Sequence, residues 1–325
     1  MTMLNRFGKA LLTVVLVALI AMPAAAADMT LKLGHLANED NTWHKASVKF
    51  GEELEALTNG RIKVQVFPNE SLGKEMDLIN GMQLGTVDMT ITGESLQNWA
   101  PMAALLAVPY AYKSLEHMDS VAGGEIGDKI KAQIREKARI RPIAYFARGP
   151  RNLTSNRPIK TPADLDGLKM RVPNVPLFVD VWKSLGAKPT PMAFSEVFTS
   201  LQNGTIGAQE NPLALIKSAS FYEVQKYVNL TEHVRSWIYL TLSELTWNKL
   251  SAEDQQNVME AAKRAQAYER ELFLADEKKL VGELEAKGMT FVQVDKKAFA
   301  DKAKGAVLAN VKPEIRPIVE DLFNQ

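Results

Sequence analysis

No proline occurs between Ala252 and Lys287, and the only glycine in that stretch is Gly282. Good helix formers fill it, Ser251-Ala252-Glu253-Asp254 opens it and Gly288 follows it. A continuous helix over these roughly 36 residues would be about 54 Å long at about 1.5 Å per residue. That exceeds the width of one small domain, so the helix is expected to bridge two. Its charged positions (Lys263, Arg264, Glu269, Arg270, Glu277 and Lys278) read as the solvated face. A chain of 325 residues, 46% apolar, can bury the core of about two domains.

The chain before this helix reads as alternating strands and helices. Thr30 to Leu36 is a strand and Thr42 an N-cap for a helix through Thr58, with Ala46, Phe50, Leu54 and Leu57 on one face. Asn59-Gly60 stops that helix, and Ile62, Val64 and Val66 alternate in a second strand ended by Pro68. A β-α-β start implies a parallel pair. A helix near Glu75 to Leu84, a strand Val87 to Thr92, a helix Glu125 to Lys137 and a strand Ile140 to Phe146 continue the pattern. Gly149-Pro150 reads as a crossover between domains, and Ser236 to Leu245 as a strand returning to the first. Thr161-Pro162-Ala163-Asp164 starts a helix, as do Asn174 before Val175 to Leu185 and Ser195 before Glu196 to Asn203. Met289 to Val294 is a late strand, with two short helices after it.

Several function classes lack support. A net charge of +1 argues against nucleic acid as a partner. The chain has no Cys, and His35, His44, His117 and His233 show no HExxH spacing, so no metal site is expected. GxGxxG, GxxxxGK[ST] and GxSxG are absent, no cofactor is implied, and nothing names a nucleophile beside a base, so the chain does not read as an enzyme. Residues 1–27 read as a signal peptide: Arg6 and Lys9, then an apolar run from Leu11 to Met22, then Ala24 to Ala27. Cleavage is expected near Ala27, with an uncleaved anchor as the rival reading.

The stretch from Tyr145 to Pro212 carries the candidate site. Leu168 to Val172 alternates, which puts Leu168, Met170 and Val172 on one face and Lys169 and Arg171 on the other. Pro173 ends that strand, leaving Arg171 at its carboxyl end, where ligands of open α/β sheets bind. A planar guanidinium there gives two parallel hydrogen bonds to a carboxylate. Asn211 follows an extended run from Thr205 to Gln209, and Pro212 suits the first turn of a helix. Each residue has a plainer reading. Arg171 could be a solvated edge-strand arginine, Arg151 a hinge salt bridge, Asn211 a turn residue, Glu94 a loop acid, and Phe194, Trp43, His35 and His44 packing or capping residues.

Six blocks of the chain resemble one family: Arg151 to Thr154, Asp166 to Pro173, Leu185 to Ala187, Pro191 to Val197, Gln209 to Pro212 and Tyr222 to Tyr227. They are similar, in order and spacing, to the DctP-type periplasmic substrate-binding proteins of tripartite ATP-independent periplasmic (TRAP) transporters. The resemblance runs from about residue 30 to 300 and departs at Gly207-Ala208, where the family usually has Asp-Gly. It implies an α/β two-domain periplasmic binding protein fold, a long helix spanning both domains, and a ligand cleft between them. The domains are then residues 28–148 with about 237–276, and 149–236 with about 277–325. The family's selectivity arginine falls on Arg171, its second arginine on Arg151 and its polar clamp on Asn211. In the sugar-acid-binding branch Glu94 and Phe194 line the pocket, with Asn38, Lys74 and Glu75 as weaker matches in loops facing the same cleft. The implied role is a periplasmic receptor that captures an organic acid and passes it to the membrane permease of an ion-driven transporter. A uronate such as glucuronate or galacturonate leads; a C4-dicarboxylate or a sialic acid is the alternative. Two rivals remain, a sugar-acid lyase or hydrolase and a receptor that serves chemotaxis.

Overall fold

The structure is a computed structural model that describes residues 28–324, so the expected signal peptide at residues 1–27 lies outside the described residues. The chain opens as β1 (Met29–Gly34), α1 (Thr42–Leu57) and β2 (Ile62–Phe67). β1 and β2 pair in parallel, with Leu33 opposite Val66, as a crossover helix requires. Asn41, not Thr42, caps α1: its side chain accepts from the Trp43 N–H at 3.0 Å. The Thr42 hydroxyl is engaged elsewhere, donating to Glu269.

α2 (Glu75–Leu84), β3 (Met89–Thr92), α3 (Leu115–Ala122) and α4 (Glu125–Gln133) follow. α4 is shorter than expected because residues Ile134–Ala138 widen into a π-turn. β4 (Ile140–Ser155) then runs far past the expected end at Phe146. The remaining elements are β5 (Lys169–Val172), α5 (Pro176–Leu185), β6 (Lys188–Pro191), α6 (Val197–Gln202), β7 (Ala208–Pro212), α7 (Leu213–Ser218), β8 (Tyr227–Ser243), α8 (Glu244–Trp247), α9 (Ala252–Ala286), β9 (Thr290–Val292), α10 (Lys296–Asn310) and α11 (Arg316–Asn324).

Two more expected caps move, and one helix start shifts. Val175, not Asn174, precedes α5, with Pro176 as its first residue. Ser195 lies inside a one-turn 3₁₀ segment (Phe194–Glu196) instead of capping α6. Asn211 lies inside β7, and Pro212 stands at the cap of α7 rather than in its first turn. At Thr161 the capping box with Asp164 forms, but it opens a single 3₁₀ turn, Pro162–Leu165.

The strands make one mixed sheet in the order β2-β1-β3-β8-β4-β7-β5-β6, with β9 beside β8. β4 and β8 are its long members and run antiparallel along each other. The first part of β4 pairs with the end of β8, which also carries β3. The last part of β4 pairs with the start of β8 and with β7. Between these parts the register shifts, at Arg148/Arg151 and again at Arg151/Leu153. Gly149 and Pro150 occupy that shift. Pro150 has no N–H to donate, so an interrupted ladder is where a long strand tolerates it.

α9 has 35 residues, about 52 Å at about 1.5 Å per residue, and packs on α1, β4 and α7. Its charged positions are not all solvated, contrary to expectation. The buried stripe Val258, Ala262, Ala265, Glu269, Phe273, Leu280 and Leu284 keeps the i+3/i+4 spacing, and Glu269 is part of it at 1% exposure. Glu269 accepts from the Ala147 N–H at 3.2 Å and the Thr42 hydroxyl at 3.3 Å. Burial pushes its carboxyl up to about 8. Glu277, two turns on, lies against Gly149: a Cβ there would stand 2.5 Å from its Oε1. Thus α9 touches the β4 crossing at Gly149, where a larger residue would have to displace the Glu277 carboxylate.

Candidate functional site

The carboxyl ends of β3 and β5, the register shift of β4, the middle of β7 and the start of α2 face one cavity. Its walls carry Arg171, Arg151, Arg148, Asn211, Glu94, Glu75, Ser95, Phe194 and Trp43. Of the residues singled out from sequence, Arg171, Arg151, Asn211, Glu94, Phe194 and Glu75 therefore come together.

Two do not. Asn38 donates to the Ser218 carbonyl at 2.9 Å and lines a separate depression with Lys217, Tyr222 and Lys287. It sits past the end of β1, where the loop turns away from the cavity toward α7. Lys74 stands at the cap position of α2, half exposed, and pairs with Glu196 at 2.5 Å. That bridge joins the β1–β3 half to the β5–β7 half, close in the chain to Glu75 and Phe194 of the cavity wall. Three further bonds span the same seam: the Ser195 N–H to Glu70 at 3.0 Å, the Asn98 side chain to the Asn174 carbonyl at 2.9 Å, and the Leu177 N–H to Gln97 at 3.3 Å.

Arg151 is committed to protein partners. Its Nε donates to Glu210 Oε2 at 2.5 Å, and one terminal nitrogen donates to Glu210 Oε1 at 2.8 Å and to Asn211 Oδ1 at 3.1 Å. His233 Nε2 lies 2.8 Å from Glu210 Oε2. Burial alone would raise the Glu210 carboxyl; the Arg151 guanidinium outweighs it and, with His233, brings it to about 2. Burial lowers His233, which favours its neutral form. Asn211 is held by Arg151 on its oxygen and donates its amide to Gln209 at 2.6 Å.

Glu94 is 5% exposed, in the turn just after β3. It accepts from Arg148 at 2.5 Å and approaches Arg151 at 3.8 Å. Burial pushes its carboxyl up, but Arg148 and Arg151 hold it below the usual range. Arg148 was not singled out from sequence. Its signal was present: a charged residue in an apolar strand, three positions before Arg151. Glu75 accepts from the Thr92 and Ser95 hydroxyls at 2.7 and 3.0 Å, and burial raises its carboxyl.

Arg171 differs from the other two arginines. It is 4% exposed, yet among the described residues it makes no ion pair. Its Nε donates to the Met192 carbonyl at 3.0 Å, and its guanidinium carbon lies 5.8 Å from the Phe194 ring centre. Burial lowers its pKa to about 10; the Glu210 charge only partly restores it, and Arg151 opposes it. Arg148 is paired with Glu94 and Arg151 with Glu210, so of the three cavity guanidiniums Arg171 is the one without a carboxylate partner among the described residues.

Residues 33–312 match the family described as bacterial extracellular solute-binding protein, family 7 (DctP). The chain belongs to this family. A solute-binding protein of Roseobacter denitrificans is 74% identical over 318 residues, 98% of both chains. A crystal structure of a TRAP periplasmic solute binding protein from Roseobacter denitrificans with bound L-galactonate superposes with a TM-score of 0.91. It is 76% identical and covers 92% of this chain and 100% of that one. One from Bradyrhizobium, in complex with α/β-D-galacturonate, gives 0.86 at 33% identity, covering 91% and 100%. The architecture is thus the expected α/β two-domain periplasmic binding protein fold. Membership is in a family that binds solutes for transport rather than one of enzymes.

Proposed function

We propose that this DctP-family protein is the periplasmic receptor of a TRAP transporter and captures a six-carbon sugar monocarboxylate in the Arg171 cavity. It is exported by the signal peptide cleaved near Ala27 and hands its ligand to the membrane permease of that transporter. The observation that carries this reading is the buried guanidinium of Arg171, which no carboxylate of the described residues neutralises. A buried charge without a partner is costly, and a carboxylate is the planar bidentate acceptor that fits it. Glu94, Glu75 and Ser95 supply acceptors for hydroxyl groups along the rest of the cavity.

One guanidinium without a carboxylate partner fits one carboxylate. A C4-dicarboxylate would bring a second anion to a site whose other two guanidiniums already face Glu94 and Glu210. We favour an open-chain aldonate over the uronate favoured from sequence, and the similarity to the galactonate-bound relative supports that choice. A uronate is the second reading, supported by the galacturonate-bound relative. For the lobes, we place residues 28–148 with about 237–276 on one side and 149–236 with about 277–325 on the other. The supporting observation is the register shift of β4 between Arg148 and Arg151. Closure of the lobes on ligand is a hinge motion driven by contacts to both.

The test is calorimetric titration of the mature protein with L-galactonate, D-galacturonate, D-glucuronate, N-acetylneuraminate and succinate. Tight 1:1 binding of a six-carbon sugar acid, with succinate at least about a hundredfold weaker, is the expected result. Preference for succinate overturns the substrate class, and conversion of any sugar acid to product overturns the receptor role.

A further inference from the structure

The Arg148–Glu94 pair has no evident purpose as a stability device. An ion pair removed from water rarely stabilises more than well-packed apolar side chains of the same volume. Yet both members are buried, at 6% and 5% exposure, and both line the cavity. Nor is the pair fully satisfied. Arg148 Nε is buried with no hydrogen-bond partner among the described residues. Glu94 Oε1 has Arg151 at 3.8 Å, beyond hydrogen-bond reach. A guanidinium with an unused donor and a carboxylate with one oxygen that Arg148 does not engage therefore stand side by side.

Their position is separate from that of the free cation. Glu94 pairs with Arg148 and approaches Arg151, whereas Arg171 bonds the Met192 carbonyl after β6. A ligand anchored by its carboxylate on Arg171 thus presents a different part of itself to Arg148 and Glu94.

We propose that Arg148 and Glu94 form the specificity element for that other end: they accept a hydroxyl and reject a second carboxylate. This rests on the proposed sugar-acid role of the cavity. A hydroxyl is the one common sugar group that both accepts and donates, so it can take a hydrogen bond from Arg148 and give one to Glu94 Oε1. A carboxylate can only accept. It would gain from Arg148 but meet the Glu94 charge at contact, and the pair has no net charge to compensate it. The element distinguishes an aldonate from the aldarate of the same carbon chain, which differs only in the oxidation of its terminal carbon.

The experiment compares L-galactonate with galactarate by calorimetry at neutral pH, on the wild-type protein, Glu94→Gln, and the double variant Arg148→Gln/Glu94→Gln. Glu94→Gln keeps the shape and one acceptor but frees Arg148 as a cation. The double variant leaves no unpaired buried charge, so it guards against misfolding of the single one. The wild type is expected to prefer galactonate by about a hundredfold or more. Glu94→Gln should narrow that preference by at least about tenfold, the scale of one charge-assisted hydrogen bond. The double variant should narrow it less, because the freed cation is gone. An unchanged preference in both variants overturns the inference while leaving the receptor reading intact, provided galactonate binding still depends on Arg171. Failure of the wild type to bind any sugar acid overturns both.

Discussion

Arg171→Met should make the ligand-free protein more stable and nearly abolish ligand binding. The guanidinium is 4% exposed, and burial holds it at about 10, well below the ordinary guanidinium range. At about 1.4 kcal/mol per pH unit, that depression corresponds to roughly 3 kcal/mol. The sign follows from linkage. The folded pKa lies below the unfolded one, so the charge opposes folding at every pH below about 10 and ceases to do so only above it. Methionine removes this penalty and keeps much of the stem packing. It also loses the Nε bond to the Met192 carbonyl, about 1 kcal/mol. The net expectation is a gain of about 1–2 kcal/mol. At about 2–4 °C per kcal/mol for a chain of this order of size, the unfolding midpoint rises by a few degrees. Loss of one partner of a buried ion pair costs about 3–5 kcal/mol in the complex, or about two to three orders of magnitude in affinity. Scanning calorimetry with and without L-galactonate reads both effects. At about 100 times its Kd the ligand should stabilise the wild type by about 2.7 kcal/mol and the variant hardly at all. A variant that melts well below the wild type, or one whose midpoint still moves with galactonate, would refute the picture of an uncompensated cation waiting for an anion.

Two further outcomes follow from side chains outside the cavity. Glu269 is held at about 8, above its unfolded value of 4.5, so its contribution is fully present below about pH 4.5 and is lost as pH rises to about 8. Glu269→Gln keeps acceptors for Ala147 and Thr42 without an ionisable group; its melting temperature should match the wild type near pH 4.5 and exceed it near pH 8.5, and equal pH profiles would contradict this. Lys74→Ala should change stability by no more than about 1 kcal/mol, since the bridge to Glu196 is half exposed. Because that bridge joins the β1–β3 half to the β5–β7 half, stopped-flow release of ligand should nonetheless be several-fold faster, and an unchanged rate would remove Lys74 from the proposed closure.

Parts of this fold could be read from the sequence because local signals and tertiary packing agree there. The β1-α1-β2 start has alternation, a 3.6-residue apolar stripe and an Asn-Gly stop. α9 has no proline and a single glycine, Gly282. The long strands β4 and β8 were illegible for a specific reason. Gly149-Pro150 is a break by every local rule, and the chain continues as strand only because the ladder is already interrupted there. The interior of α9 misled in the opposite sense. Glu269 belongs by composition to a solvated face, but its i−4 and i+4 neighbours, Ala265 and Phe273, are buried and carry it inside. In the cavity, Arg171 could be found from strand alternation and Pro173. The difference between Arg171 and Arg151 could not: which arginine finds a carboxylate depends on strands β4, β7 and β8 meeting, and Glu210 and His233 come from two of them. Asn38 and Lys74 lie near the right loops in sequence, but their side chains go to Ser218 and Glu196.

The sheet is unbroken from β2 to β6, and the two strands that carry it from one half to the other are β4 and β8. There is thus no slack linker on those two paths to take up a swing. We expect bending along them where the ladder skips, and one of the skips in β4 lies between Arg148 and Arg151. On the proposed hinge, the pivot and two walls of the cavity are the same piece of backbone. No relay of side chains is needed to tell the protein that its cargo is aboard, because a molecule pressing on those walls bears directly on the joint.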